Sequence, residues 1–347
     1  MNLILPIAGE SSRFPNMRPK WMLTHPSGKM MLLESISGLN VEDFKKVYIV
    51  ALRSHEEKYK FSSGLEKAFY EIYPDSSLEL ILLENATKSQ PETVFNAINI
   101  GNIHGPICIK DCDNFFKITA KPVNFISFCN LEENEDINAA NKSYIEINEH
   151  GLITNIVEKK IISPYFCTGA YGFADSKTYL KYYGKCSEID SLYISHIMYS
   201  MLLDSSAIMH IESKGYKDWG TIEDWQRYIR SYKTLLVDID GVLVENSSKY
   251  FSPIWGESSG IQENIERINE LYDSGRCQII LTTARTEGFR QQTIDQLERT
   301  GVKYHKLVLG LMHAQRILIN DFSMTNPFPS CSAVNIERNS KNLNKVI

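Results

Sequence analysis

The 347-residue chain is 43% hydrophobic and 23% charged, ordinary values for a soluble globular protein, and its length predicts about two domains. A net charge of -5 gives no reason to expect nucleic acid or a membrane surface as partner, no apolar run approaches the ~20 residues of a membrane helix, and no signal-peptide pattern opens the chain. Seven scattered cysteines, odd in number and without CxxC spacing, argue against a disulfide framework or a zinc site, so a reducing cytoplasm is the expected location.

In chain order, short apolar runs predict strands at residues 2–7, 46–51, 78–83, 106–110 and 123–128. Longer mixed segments between them predict helices, among them 54–73 and 91–98. That alternation predicts an open α/β sheet. A helix around 222–231 then leads into a second alternating series. It comprises a strand at 234–237, a helix at 261–274, a strand at 278–282, a helix at 287–300, and strands at 306–308 and 316–319. The boundary is expected near residues 228–234, giving domains 1–230 and 233–347.

The first strand runs into Ala8-Gly9-Glu10-Ser11-Ser12-Arg13-Phe14, followed by Pro19-Lys20. Open α/β sheets take ligands at the carboxyl ends of their strands. Gly9 lets the backbone approach a phosphate, and Ser11 and Ser12 offer donors. Arg13 can clamp oxygens bidentately, and Lys20 adds a point charge. Taken alone, the loop reads equally well as a tight surface turn with incidental basic residues.

Four further blocks follow: Thr87-Lys88-Ser89-Gln90-Pro91-Glu92-Thr93; Asp111-Cys112-Asp113-Asn114-Phe115-Phe116; Val157-Glu158-Lys159 with Thr168-Gly169-Ala170-Tyr171-Gly172-Phe173; and Asp218-Trp219-Gly220-Thr221 with Asp224. In this order, over about residues 1–230, the chain resembles the sugar-phosphate nucleotidylyltransferases. Their loop reads Ala-Gly-x-Gly-Ser-Arg-Phe before Pro-Lys; Ser11 and Trp21 depart from that pattern. The resemblance implies a Rossmann-like, GT-A-like nucleotidyltransferase domain. Its partners would be an NTP, with CTP preferred, and a sugar or polyol phosphate, and pyrophosphate would be released. Nucleotide contacts would come from Ala8, Gly9, Ser11, Ser12, Gln90, Glu92 and Thr93. Sugar-phosphate contacts would come from Glu158, Lys159, Thr168 and Gly169. Arg13 and Lys20 would be the catalytic cations, and Asp113 and Asp218 would hold Mg2+, with Asp111 the rival to Asp113. Attack of one phosphate on another brings anions together, so positioning and charge neutralisation carry such a reaction. The same residues also have structural readings: Asp218 as a helix cap, Glu158–Lys159 as a solvated pair, Gln90 and Glu92 as first-turn residues.

The second series opens with Leu235-Leu236-Val237-Asp238-Ile239-Asp240-Gly241. Asp-x-Asp-Gly directly after an apolar strand resembles the haloacid dehalogenase-like (HAD-like) phosphohydrolases, over about residues 233–347. The resemblance implies a small, minimally capped HAD-like α/β domain, since the short interval between Asp240 and Gln278 leaves no room for a large cap. Asp238 would be the nucleophile, Asp240 the acid and base, and Thr283 (with Thr282 close behind) a phosphate ligand. Asp238, Asp240 and Asp321 would hold Mg2+. The family's Gly-Lys is replaced by Gly310-Leu311, so Lys306 is the expected cation, with Lys303, His313 and Arg316 as alternatives. The two resemblances together imply a bifunctional enzyme of surface-glycan precursor supply. The alternative is a nucleotidyltransferase whose second domain is a binding or regulatory module. Homo-oligomerisation is left open.

Overall fold

Strand β1 (Asn2–Pro6) has buried side chains on both of its faces: Leu3 and Leu5 enter one core, and Ile4 enters another. Period-two alternation with both faces buried is the mark of a strand inside a covered parallel sheet. The computed structural model describes residues 1–9, 14, 17–133, 137–321 and 331–347. These fall into two units, Met1–Gln226 and Arg227–Ile347.

In the first unit β1 is followed by a short helix α1 (Met31–Ile36), then β2 (Lys46–Leu52), which pairs parallel with β1. The segment predicted as one helix at 54–73 is two, α2 (Arg53–Tyr59) and α3 (Ser62–Ile72). Lys60 breaks the run with a left-handed φ of 49°. The Glu56 carboxylate accepts the Ser62 N–H at 2.9 Å and its hydroxyl at 2.7 Å, so an acid at the start of α3 rewards the break. Strand β3 (Leu78–Leu83) pairs parallel with β2, and α4 (Gln90–Ile100) follows, its amino end capped by Ser89. Strand β4 (Ile107–Lys110) lies parallel on the other side of β1.

Next come β5 (Asn114–Lys117), β6 (Phe125–Asn130), β7 (Ser143–Ile147), β8 (Ile153–Glu158) and the nine-residue β9 (Tyr165–Phe173). Helices α5 (Ser176–Cys186) and α6 (Ile194–Leu203) precede β10 (Met209–Glu212) and β11 (Lys214–Asp218). Among the described residues the main sheet runs β10-β6-β9-β4-β1-β2-β3, with β7 joined to β8 and β9. Strand β9 is antiparallel to both β4 and β6, so the sheet is mixed. Gly172 permits that pairing, because a Cβ there would run into the Phe125 ring. Strands β5 and β11 form a separate two-stranded ladder in which Asn114 faces Asp218.

Helix α7 (Ile222–Arg230) crosses the division between the units. In the second unit, β12 (Lys233–Asp238), β13 (Cys277–Thr282) and β14 (Lys306–Val308) form a parallel sheet with β13 in the centre. Helices α8 (Gln262–Asp273) and α9 (Arg290–Thr300) alternate with them, and Ile265, Ile268 and Leu297 pack against Val237, Ile279 and Leu281. The strand expected at 316–319 is absent from this sheet. Ile317, Leu318 and Ile319 are 77%, 56% and 90% exposed, and an apolar run without a ladder partner does not make a strand. Among the described residues no helix is long and apolar enough to cross a membrane.

Candidate functional site

The carboxyl edge of β1 and β4 gathers the first set of residues. Beyond β1, Ala8 is fully buried and Gly9 exposed, with open space where a Cβ would stand. Ser11, Ser12 and Arg13 lie outside the described residues. Lys20 begins a single 3-10 turn, Lys20–Met22, pinned by Trp21, which is buried edge-on against Phe61 with ring centroids 4.8 Å apart. Burying the residue after Lys20 fixes the turn and directs the lysine to Asp113, with which it forms an ion pair.

Asp113 lies just past β4 and opens β5, and its carbonyl accepts the Trp219 N–H at 2.9 Å. The β5–β11 ladder thus brings Asp113 beside Asp218. A Cβ built on Gly220 would lie 3.2 Å from Asp218 Oδ1 and 3.7 Å from Asp113 Oδ2, so the two acids flank a notch that glycine leaves open. Asp218 Oδ2 is 2.5 Å from Lys142 Nζ, which also donates to Tyr216 Oη at 2.7 Å.

Asp111 sits differently. Gln90 Nε2 donates to its Oδ1, its own N–H reaches the Gly169 carbonyl at 2.8 Å, and a Cβ on Gly169 would run into its Oδ2. Desolvation, and next the Asp113 carboxylate, raise the Asp111 carboxyl to about 6. Gly169 has a φ of +97°, a conformation that glycine adopts without strain. Gln90 therefore joins the aspartate loop, whereas Glu92 and Thr93 are engaged at their own helix end. Glu92 accepts the Lys88 N–H at 2.6 Å, and Thr93 is buried against the Thr87 hydroxyl at 2.6 Å.

Glu158, at the end of β8, accepts hydrogen bonds from the Ser143 and Ser195 hydroxyls, the latter at 2.7 Å. Lys159 follows in a left-handed conformation (φ 53°) and hydrogen-bonds Tyr193, with Nζ 4.4 Å from the ring centroid. Its N–H donates to the Lys142 carbonyl at 3.0 Å, which ties the two lysines into one backbone unit. A cavity of about 370 Å³ opens beside Glu158 and Ser195, walled also by His196 and Tyr199. Thr168 does not line an open pocket: it is 1% exposed, and its hydroxyl bonds Ser127 at 2.7 Å and Ser213 at 2.8 Å inside the sheet.

In the second unit, Asp238 ends β12 and Asp240 follows one buried residue later. Arg285, fully buried, holds both oxygens of Asp240: Nη2 lies 2.8 Å from Oδ1 and Nε 2.9 Å from Oδ2. The Ser247 hydroxyl donates to Oδ1 at 2.9 Å, and the Thr283 hydroxyl to Oδ2 at 3.4 Å. The remaining guanidinium nitrogen, Nη1, reaches Thr293 at 3.2 Å and Gln296 at 2.7 Å. Thr283 thus faces the acids, while Thr282 donates to the Val237 carbonyl at 3.3 Å. Desolvation raises the Asp238 carboxyl, and Arg316, whose Nη2 is 3.2 Å from Oδ1, opposes that shift.

Lys306 is not brought to this edge. In the ladder Asp238 aligns with Thr282 and Val308, so exposed Lys306 stands two positions back along β14. Lys303 is engaged by Asp273 at 2.7 Å. The cation beside Asp238 is Arg316, one of the alternatives. Asp321 is exposed at the end of its described segment. Sequence reasoning gave no role to Lys110, Lys142 or Arg285. For Arg285 a signal existed, a charged residue in the short Thr283-Ala284-Arg285 segment that follows apolar β13; for Lys142, within a polar stretch, there was none.

No protein-family model and no curated protein sequence matches the chain. Among solved structures, a nucleoside-diphosphate-sugar pyrophosphorylase from Vibrio cholerae is similar over 66% of this chain and 99% of its own, with TM-score 0.55 and 19% identity. A putative glucose-1-phosphate thymidylyltransferase from Bacillus anthracis, in complex with a sucrose, matches 65% of this chain and 92% of its own, with TM-score 0.50 and 20% identity. A UDP-glucose pyrophosphorylase complexed with UDP-glucose matches 65% and 95%, with TM-score 0.50 and 16% identity. The similarity lies in the N-terminal part of the chain, which therefore has a nucleotidyltransferase-type α/β fold.

Proposed function

We propose that the unit Met1–Gln226 transfers a nucleotidyl group from an NTP to a sugar or polyol phosphate and releases pyrophosphate. The observation that carries this reading is the convergence of Asp113, Asp218 and Lys20 at the carboxyl edge of β4, where such folds take ligands. The donor set suits Mg2+, which takes one or two carboxylates and completes its shell with water and substrate phosphates. The notch left by Gly220 between Asp113 and Asp218 agrees with that use. Bound there, the ion would supply charge neutralisation to the reacting phosphates. Among the described residues no cluster of three or more His, Cys, Asp or Glu side chains forms a metal cage, so an ion here would need the remainder of its shell from water and substrate.

The chain's own residues do the remainder. An oxygen of the acceptor phosphate attacks the α-phosphorus as the bond to the pyrophosphate oxygen breaks, and the electron pair leaves with pyrophosphate. The acceptor is already ionised near neutral pH, so no base is required. Lys20, with Arg13, stabilises the crowded phosphate oxygens, while Lys159 holds the attacking phosphate in line. Pyrophosphate release measured with CTP, UTP, dTTP and GTP against a panel of sugar and polyol phosphates tests the reading. Asp113→Ala is expected to abolish release, and retained release in that variant would refute it.

For the second unit we infer phosphomonoester hydrolysis by a HAD-type route. Asp238 attacks phosphorus and forms an aspartyl phosphate as the ester oxygen leaves with a proton from Asp240. Water, giving its proton to Asp240, then releases phosphate. The order Asp238, Asp240, Thr283 at the carboxyl edge of a parallel sheet supports this. Of the acids expected to hold Mg2+, Asp238 and Asp240 share this edge, whereas among the described residues no group of three His, Cys, Asp or Glu side chains forms there, so Asp321 is not brought to them. The second reading, a binding or regulatory module, draws support from Arg316 and Arg285 already occupying both acids. Phosphate release from phosphomonoesters that disappears in Asp238→Asn selects hydrolysis; a wild-type protein without turnover selects the module.

A further inference from the structure

We propose that Lys142 is an acceptor-phosphate ligand held in reserve on Asp218, and that cation binding at Asp113 and Asp218 sets it free to take that phosphate. The inference rests on the metal-site reading of Asp113 and Asp218 given above. Lys142 Nζ lies 2.5 Å from Asp218 Oδ2 and 2.7 Å from Tyr216 Oη, with its side chain only 13% exposed. The distance to the Tyr216 ring centroid, 5.1 Å, adds a cation–π contact that keeps the stem against the ladder. An ammonium so placed satisfies Asp218 in the ligand-free fold, as Lys20 satisfies Asp113, so each carboxylate at the Gly220 notch has a counter-ion of its own.

A divalent ion entering the notch takes over that role, and a cation that stays beside it raises the local positive charge. Lys142 is then repelled from Asp218, and its nearest anion is the incoming substrate. Its position directs it to the acceptor rather than to the nucleotide. The Lys142 carbonyl accepts the Lys159 N–H, and the next residue, Ser143, pairs in the β7–β8 ladder with Glu158 and donates its hydroxyl to that carboxylate. Lys142 and Lys159 thus flank one end of the same hairpin, and a phosphate between them would receive donors from both. Lys20 already serves the opposite acid, Asp113, on the loop side. The acceptor class this arrangement favours is a phosphomonoester dianion, which two ammonium groups match in charge.

The test uses the full chain with Asp238→Asn in every protein, so that the C-terminal acids do not dominate the signal. Two quantities are measured: Mn2+ affinity, from the free-ion electron paramagnetic resonance signal, and inorganic phosphate affinity of the Mn2+-loaded protein by calorimetry. Lys142→Met is expected to bind Mn2+ about three- to tenfold more tightly, because no ammonium competes for Asp218, and to bind phosphate about tenfold more weakly. Lys142→Arg is expected to stay closer to the parent protein in both. A lysine that merely braces the ladder predicts the reverse for the metal: looser Mn2+ binding as the acids lose their support. Unchanged or weaker Mn2+ binding in Lys142→Met, or unchanged phosphate affinity, overturns the proposal. Asp218→Asn separates this from the underlying reading, since Mn2+ binding that survives that change refutes the metal site itself. Should Lys142→Met fail to fold, Lys142→Gln, which keeps a donor for Tyr216, is read by the same two measurements.

Discussion

Lys110 offers a stability test of the loop that presents Asp113. It is fully buried at the end of β4, and its ammonium donates to the Asp111 carbonyl at 2.6 Å and to the carbonyl and side-chain oxygens of Asn114. The Phe116 ring lies 4.2 Å below. Desolvation lowers its pKa from 10.5 to about 8, with the Asp111 charge opposing the shift most strongly. Below pH 8 folded and unfolded chains both hold the proton, so this group gives no pH dependence. Between pH 8 and 10.5 the unfolded chain keeps a proton that the folded chain has lost, so stability from this group rises with pH. At about 1.4 kcal/mol per unit of pKa, the wild type gains about 1.4 kcal/mol relative to Lys110→Met between pH 7 and pH 9. The buried thiols Cys108, Cys112, Cys129 and Cys167, all raised by desolvation, pull the other way, so only the difference between the two proteins isolates Lys110. At pH 7 the variant itself should lose about 3 kcal/mol, since oxygens that accepted from the ammonium are left without it. Urea unfolding followed by tryptophan fluorescence reads the first unit through Trp21, Trp219 and Trp225. A difference between the proteins that stays flat from pH 7 to pH 9 would refute the reasoning.

Arg285→Met is expected to destabilise the second unit by about 3–5 kcal/mol, read by Trp255 fluorescence; adding Asp240→Asn should cost less than the two single changes summed, and additivity would deny the coupling. Gly169→Ala places a Cβ against Asp111 Oδ2 at φ +97°, and should lower both the unfolding free energy, by about 2 kcal/mol, and pyrophosphate release. Six cysteines are buried and Cys331 is not, so a disulfide-exchange reagent should modify one thiol rapidly in the native protein and seven after unfolding; two or more fast thiols would contradict the packing.

What the sequence made legible was whatever local pattern governs. The apolar runs at β1, β2, β3 and β4 announced an open α/β sheet, and those at β12 and β13 a second alternating α/β series; the pairing of these strands is parallel. The loop residues after those strands were singled out as candidates because open α/β sheets take ligands at carboxyl edges. Strand β9 escaped notice, since its Thr168-Gly169 step resembles a pocket motif while its hydroxyl and backbone serve the sheet interior. The break at Lys60 escaped because it depends on Glu56 bonding Ser62, a choice that periodicity does not encode. The apolar run at 316–319 misled for the opposite reason: hydrophobicity is a property of the segment, and pairing is a property of its neighbours.

The cations on the candidate acids were the least legible feature, and their differences carry the functional consequence. Lys20, Lys142, Arg285 and Arg316 stand on Asp113, Asp218, Asp240 and Asp238. Carboxylates placed close together need counter-ions, so charge balance alone predicts such partners. Sequence distance conceals the pairings, because each joins segments far apart in the chain, although Lys20 and Arg316 themselves were named as candidates. They are not equivalent in freedom. Arg316 is 49% exposed, and Lys142 is held through a single ammonium by Asp218 and Tyr216. Arg285 is fully buried, with nitrogens committed to Thr293, Gln296 and both oxygens of Asp240. It belongs to the framework of the second unit, and it fixes Asp240 in place while Asp238 remains the acid whose partner can be exchanged.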